Sequence, residues 1–209
     1  MRGRFISFEG IDGSGKSTQL ARLAATLRGR GLDVVTTREP GGTAVGEQIR
    51  SLVLGAQPAP MAELALMAAS RAQSVAELIE PALAAGRWVL CDRFHDATEA
   101  YQGGGRGLDR EAIRSLHGIL CHCLKPDLTL IFDLEPEVSV ARARKLPGAG
   151  RFEAESWGFF ARVAAAYREI AAREPARCRL VPAHGSVEAV AARVLSALDA
   201  ATEGQTHVE

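Results

Sequence analysis

The sequence predicts an α/β domain built on a parallel five-stranded sheet with helices on both faces. Three observations carry that expectation. Short and almost wholly apolar runs recur along the 209 residues. Between them lie longer segments with apolar residues at helical spacing. A glycine-rich turn joins the first run to the first helical segment. Strands this apolar, separated by helices, are those of a parallel sheet covered on both sides.

The elements follow in order. Arg4–Glu9 is predicted as the first strand, and Lys16–Leu27 as a helix with Leu20, Leu23, Ala24 and Leu27 on one face, ended by Gly29 and Gly31. Asp33–Arg38 is the second strand, and Glu39-Pro40-Gly41-Gly42 breaks the chain. Helices are predicted over Ala44–Leu54 and the long segment Ala62–Ala85. Trp88–Asp92, Leu128–Asp133 and Arg179–Val181 are the remaining strands. Helical patterns fill Asp109–Cys123, Glu137–Lys145, Glu155–Arg173 and Val187–Ala201. One domain is expected over residues 1–201, with a small lid at about 142–153 and a flexible polar tail at 202–209.

Composition limits the function classes. Hydrophobic residues make up 47% and the formal net charge is zero, which argues against a general nucleic-acid binder. Cys91, Cys121, Cys123 and Cys178 show no CxxC spacing and are expected as buried free thiols. The N-terminal apolar run is too short for a secretory core, no stretch reaches transmembrane length, and the expected compartment is the cytoplasm.

Gly10-Ile11-Asp12-Gly13-Ser14-Gly15-Lys16-Ser17 matches GxxxxGK[ST] between a strand and a helix. Glycines let consecutive N–H groups turn toward phosphates, and the helix N-terminus adds partial positive charge. Lys16 is expected to bridge the β- and γ-phosphates of ATP, and the Ser17 hydroxyl to hold Mg²⁺. An acidic partner for the metal belongs at the end of another core strand. Asp92 and Asp133 both qualify, and Asp92 is preferred because a basic and aromatic cluster follows it. Arg38 and Arg93 also stand at strand C-terminal ends, where ligands of open α/β sheets bind, and together they suit a dianionic acceptor phosphate.

Three further segments resemble one family. Thr37-Arg38-Glu39-Pro40-Gly41-Gly42-Thr43 resembles the TREPGGT signature of thymidylate kinases. Asp92-Arg93-Phe94 with Ala100-Tyr101-Gln102-Gly103-Gly104-Gly105-Arg106-Gly107 resembles their DRY…AYQGGGRG segment, and Lys125-Pro126-Asp127-Leu128-Thr129-Leu130 the strand that follows. The resemblance runs from about Arg4 to Ala197. It implies a P-loop fold, transfer of the γ-phosphate of ATP to dTMP with Mg²⁺, and a homodimer.

Residue by residue, the resemblance implies an ATP site of Gly10 to Ser17 with Thr18, joined by Arg142. Arg38 and Arg93 would bind the acceptor phosphate, Arg71 would donate to thymine O4, and Thr98 and Gln102 would contact the base edge. Tyr101 would pack against C2′ and disfavour a ribose hydroxyl. Asp12 would lie near the acceptor sugar and Mg²⁺. Arg142-Ala143-Arg144-Lys145 and Arg151-Phe152-Glu153 resemble the mobile arginine-rich lid of bacterial members. A lid cation would reach the transferring phosphoryl group, because the P-loop interior carries no arginine. The sequence departs from the family at Met67, which stands where a phenylalanine usually stacks on thymine, at Ala97 for serine and at Phe94 for tyrosine or histidine. Leu146-Pro147-Gly148 replaces a further lid arginine, leaving Arg144 or Lys145 for its role. The residues alone leave open a kinase for another nucleotide, or a catalytically weak regulatory relative. The chain has no asparagine, so the Asn-Lys-x-Asp guanine motif of switch GTPases is missing.

Overall fold

The computed structural model describes residues 2–145, 152 and 154–203. Five parallel strands form one sheet: β1 (Phe5–Glu9), β2 (Val34–Arg38), β3 (Trp88–Asp92), β4 (Leu128–Asp133) and β5 (Cys178–Pro182), in the order β2-β3-β1-β4-β5. Central β1 is buried at all five positions. Its side chains alternate between faces, which is why no polar alternation appears in its sequence. Ile6 and Phe8 join the core formed with α1 (Lys16–Gly29) and α9 (Val187–Glu203), through Leu20, Leu23, Leu27, Val190, Val194 and Leu198. Phe5 turns the other way, onto Val75, Ile79 and Leu83.

The predicted long helix is continuous but not uniform. α3 (Pro60–Ser74) passes through a π-helical turn (Val75–Ile79) into α4 (Glu80–Ala84). α2 (Ala44–Gly55) precedes it, capped by the Thr43 side chain on the Gly46 N–H. Two expectations are corrected. The helix placed over Asp109–Cys123 is α6 (Arg110–Cys121); His122 and Cys123 take φ of 51° and 56°, which stops the helix and leaves Cys123 exposed, while the other three thiols are buried. The segment after β3, given no helix from the sequence, is helical throughout: α5 (His95–Thr98) followed by a π-helical stretch (Glu99–Gly105). Its glycines and small residues hid it, since such residues weaken the helical signal.

α7 (Pro136–Ala143) is shorter than the helix expected to Lys145, and α8 (Trp157–Arg173) starts two residues later than expected, capped by Ser156. α8 lies against the glycine run Gly103-Gly104-Gly105: a Cβ at Gly104 would come within 2.7 Å of Ala166 Cβ. Most of the expected lid, residues 146–151 and 153, lies outside the described residues, as does the tail beyond Glu203.

Candidate active site

The C-terminal ends of β1 and β3 deliver the site. β1 runs into the loop Gly10 to Gly15, where Gly13 and Gly15 have φ of 81° and 95°. Gly13 has no room for a side chain either, because a Cβ would lie 2.1 Å from the Ser139 carbonyl oxygen. Ser139, on α7, donates to the Asp12 carbonyl oxygen at 2.8 Å and fastens the loop from outside. Lys16 opens α1 and is 6% exposed, with Nζ donating to the Ile11 carbonyl at 2.9 Å. Burial, then the Arg93 charge, lower its pKa to about 8 against the pull of Asp12, Asp92 and Glu9.

Ser17 Oγ donates to Asp92 Oδ2 at 2.5 Å, joining the P-loop to the end of β3. A hydroxyl beside a carboxylate is an oxygen donor pair suited to Mg²⁺. Among the described residues no group of three or more His, Cys, Asp or Glu side chains could hold a metal ion. Mg²⁺ at phosphates commonly takes one or two protein oxygens and is shared with the substrate. Asp133, the other candidate, is instead engaged by Arg168.

Arg93 follows β3 with φ of 72°, a left-handed conformation rare for arginine, held by its N–H on the Phe8 carbonyl. The turn aims its guanidinium at Asp12 (2.6 Å), the Tyr101 hydroxyl (3.0 Å) and the Tyr167 hydroxyl (3.2 Å), and lays it over the Tyr101 ring. Tyr101 also donates to Asp12 at 3.0 Å. Burial pushes Asp12 up, but Arg93 and Lys16 outweigh it and hold the carboxyl at about 2. Beneath lies Glu9, which accepts from the Phe94 N–H and the Tyr167 hydroxyl; burial and Asp96 push it up to about 8.

A cavity of about 170 Å³ adjoins this cluster. Asp12, Met67, Arg93, Tyr101 and Gln102, all singled out from the sequence, line it together with Glu39, Pro40, Arg50, Leu54, Ala97 and Phe152. Three expected acceptor residues are not on this wall. Arg71 is 2% exposed and lies behind it, donating to Glu39 at 2.7 Å, Thr98 Oγ1 at 2.8 Å and the Phe94 carbonyl at 3.1 Å. Thr98 is consumed by that contact. Arg38 is exposed and paired with Glu47 at 2.9 Å. Glu39, under burial and against Arg71, is raised to about 7.

Of the expected lid cations, Arg142, Arg144 and Lys145 are exposed around the end of α7. Arg144 lies over the Trp157 ring at 5.5 Å. Arg151 and Glu153 lie outside the described residues.

A profile of the family described as thymidylate kinase matches residues 8–194. The chain belongs to the thymidylate kinase family. It is 53% identical over 193 residues to a thymidylate kinase of Pseudomonas putida strain GB-1, covering 91% of this chain and 92% of that protein. It is 49% identical over 203 residues to one of Trichlorobacter lovleyi, covering 93% and 96%. Among solved structures it is similar to a thymidylate kinase from Ehrlichia chaffeensis, at a TM-score of 0.79 and 34% identity, covering 95% of this chain and 99% of that one. The P-loop fold class is that of this kinase family.

Sequence reading missed Arg50, Glu39, Phe152 and Tyr167 as members of the site. Arg50 donates to the Pro40 carbonyl at 2.9 Å and reaches the cavity from α2. Its signal was faint: an arginine between Ile49 and Val53, which are buried in the α2 core. Phe152 meets Tyr101 edge-to-face at 5.8 Å, a contact that no sequence spacing reveals.

Proposed function

We infer that this chain transfers the γ-phosphate of ATP to dTMP, giving dTDP and ADP. One observation carries the reading: the phosphate-binding loop and the cavity share Asp12 and, through Arg93, one hydrogen-bonded cluster. Two phosphorylated ligands bound on either side would bring their phosphates together over Lys16 and Arg93. The acceptor phosphate is already anionic, so no strong base is needed, and catalysis consists of in-line positioning and charge stabilisation.

The backbone of Gly10 to Ser17, with Thr18, holds the ATP phosphates, and Lys16 bridges the β- and γ-groups. Ser17 and Asp92 would hold Mg²⁺, which when bound neutralises charge on the phosphates. Arg93, preset by Asp12 and Tyr101, takes the acceptor phosphate, with Arg50 favoured by its place on the wall and Arg38 available from the neighbouring strand end. Tyr101 crowds the sugar and Met67 covers the base through its thioether. Gln102 faces the base edge, with Arg71 and Thr98 forming the polar layer behind it. Arg142, Arg144 and Lys145 belong to a lid over residues 142–153 that neutralises the transferring group on closing. A single kinase domain that takes in α9 to Glu203 completes this reading.

A second copy of the chain is the favoured partner. α3 and α6 present an apolar groove lined by Ala65, Ala68, Ala69, Ala72, Leu116 and Leu120, next to Ile119, which is 74% exposed. No helix among the described residues is long and apolar enough to cross a membrane, and the cytoplasm, where nucleotides are made, is the compartment we favour.

The test is a coupled ADP-release assay with MgATP and each of dTMP, dUMP, UMP, dCMP, dGMP and AMP. The highest kcat/KM is expected for dTMP. An equal or higher value for another monophosphate, or no turnover at all, would overturn the assignment.

A further inference from the structure

Glu63, like Glu9, is 0% exposed. It has no place in phosphate chemistry. It stands four residues before Met67 and eight before Arg71, so the three share one face of α3, and all three are buried. Its Oε1 accepts from Gln102 Nε2 at 2.7 Å, and Arg106 donates to both of its oxygens at 3.3 Å. Arg106 in turn donates to Glu155 at 2.5 Å and lies over the Phe152 and Phe159 rings.

A side-chain amide has a donor end and an acceptor end of nearly the same shape, so its hydrogen-bond partners decide which end points where. The Glu63 oxygens, which receive N–H groups from both Gln102 and Arg106, act here as acceptors. Gln102 must therefore turn its NH₂ to Glu63, and its carbonyl oxygen is turned away. That oxygen is buried and has no hydrogen-bond partner within the protein, on a residue that lines the cavity. A buried acceptor without a partner is costly unless a ligand supplies the donor.

We propose that Glu63 is a positioning residue: it fixes the Gln102 amide with its oxygen available to the bound base, and so selects bases that carry a ring N–H there over bases that carry a lone pair. Thymine has N3–H; cytosine has an unprotonated N3. The inference rests on the reading that this cavity holds the acceptor base. With Glu63 in place, a cytosine N3 would meet the Gln102 oxygen as two opposed acceptors. Without it, the amide can rotate and donate to cytosine. Selection by a fixed dipole penalises the wrong base more than a shape fit would, because the mismatch leaves buried polar groups unpaired.

The experiment compares the native enzyme with Glu63→Met, Glu63→Gln and Gln102→Leu. It reads KM for dTMP, competitive Ki for dCMP against dTMP, and KM for ATP. For Glu63→Met the ratio of dCMP Ki to dTMP KM is expected to fall roughly tenfold or more, with ATP KM within about twofold of native. Glu63→Gln offers Gln102 either a carbonyl or an NH₂, no longer fixes its orientation, and is expected to lower the ratio, though less than Glu63→Met. Should Glu63→Met fail to fold, Glu63→Asp carries the same expectation as Glu63→Met, since it preserves charge for Arg106 while withdrawing the acceptor from Gln102. An unchanged ratio in Gln102→Leu overturns the base-site reading and this inference with it. A lowered ratio in Gln102→Leu beside an unchanged one in the folded Glu63 variant overturns the positioning role alone, whatever happens to turnover or melting temperature.

Discussion

At the scale of single residues, the site is organised by how each cation is held. Arg93 is locked by Asp12 and two tyrosine hydroxyls and pointed by a left-handed backbone. Arg71 is locked by Glu39 behind the cavity wall. Arg50 reaches the wall, tethered by the Pro40 carbonyl, whereas Arg38 is exposed on Glu47. Those placements favour Arg50, which sequence reading passed over, above Arg38, which it named. Arg50→Ala is expected to raise KM for dTMP by roughly tenfold to a hundredfold, as loss of a charge-assisted contact would. Arg38→Ala is expected to have the smaller effect, since an exposed ion pair contributes little. Steady-state kinetics with ATP saturating checks this, and a larger effect at Arg38 would show that it swings inward to the acceptor.

At the scale of elements, the glycine run after Gln102 matters more for packing than for flexibility. It lets α8 approach the π-helical stretch closely enough for Tyr167 to reach both Glu9 and Arg93. At Gly104 a methyl group would meet Ala166 Cβ at 2.7 Å and the Arg162 carbonyl oxygen at 3.2 Å, neither of which is the free end of a flexible side chain. Gly104→Ala is therefore expected to destabilise the protein by about 1–3 kcal/mol. At about 2–4 °C per kcal/mol for a chain of this size, thermal unfolding would show a drop of several degrees. An unchanged melting temperature would mean that α8 yields without cost.

At the scale of the molecule, the apolar groove between α3 and α6 lies on the helix that also carries Glu63, Met67 and Arg71. If two copies meet there, the acceptor pocket and the interface share one helix. Ala69 is exposed at the groove, so Ala69→Arg places a charge in the contact without touching the core. Light scattering is expected to give a dimer for the native chain and a monomer for this variant. A monomeric native chain would overturn the interface.

Much of this was legible in the sequence. Apolar runs located the strands to within a residue: the inner strands β1, β3 and β4 are almost wholly buried and have few polar positions to blur their edges, while the half-exposed edge strands β2 and β5 were the less apolar runs. The P-loop was legible because its chemistry needs glycines, a lysine and a hydroxyl at adjacent positions of one loop. Asp92 and Arg93 could be named because they stand at the end of one apolar strand, whereas Tyr101 and Gln102 were named through the family resemblance of the segment that follows. What tertiary structure alone decided is how side chains from separate elements meet: that Arg50 rather than Arg38 is on the wall, that Arg71 is paired behind it, and that Glu63 holds Gln102 across 39 positions of chain. Sequence determines which local conformations and which chemical groups are available. Which donor faces which acceptor depends on burial and on the approach of helices distant in sequence, and those are properties of the packed molecule.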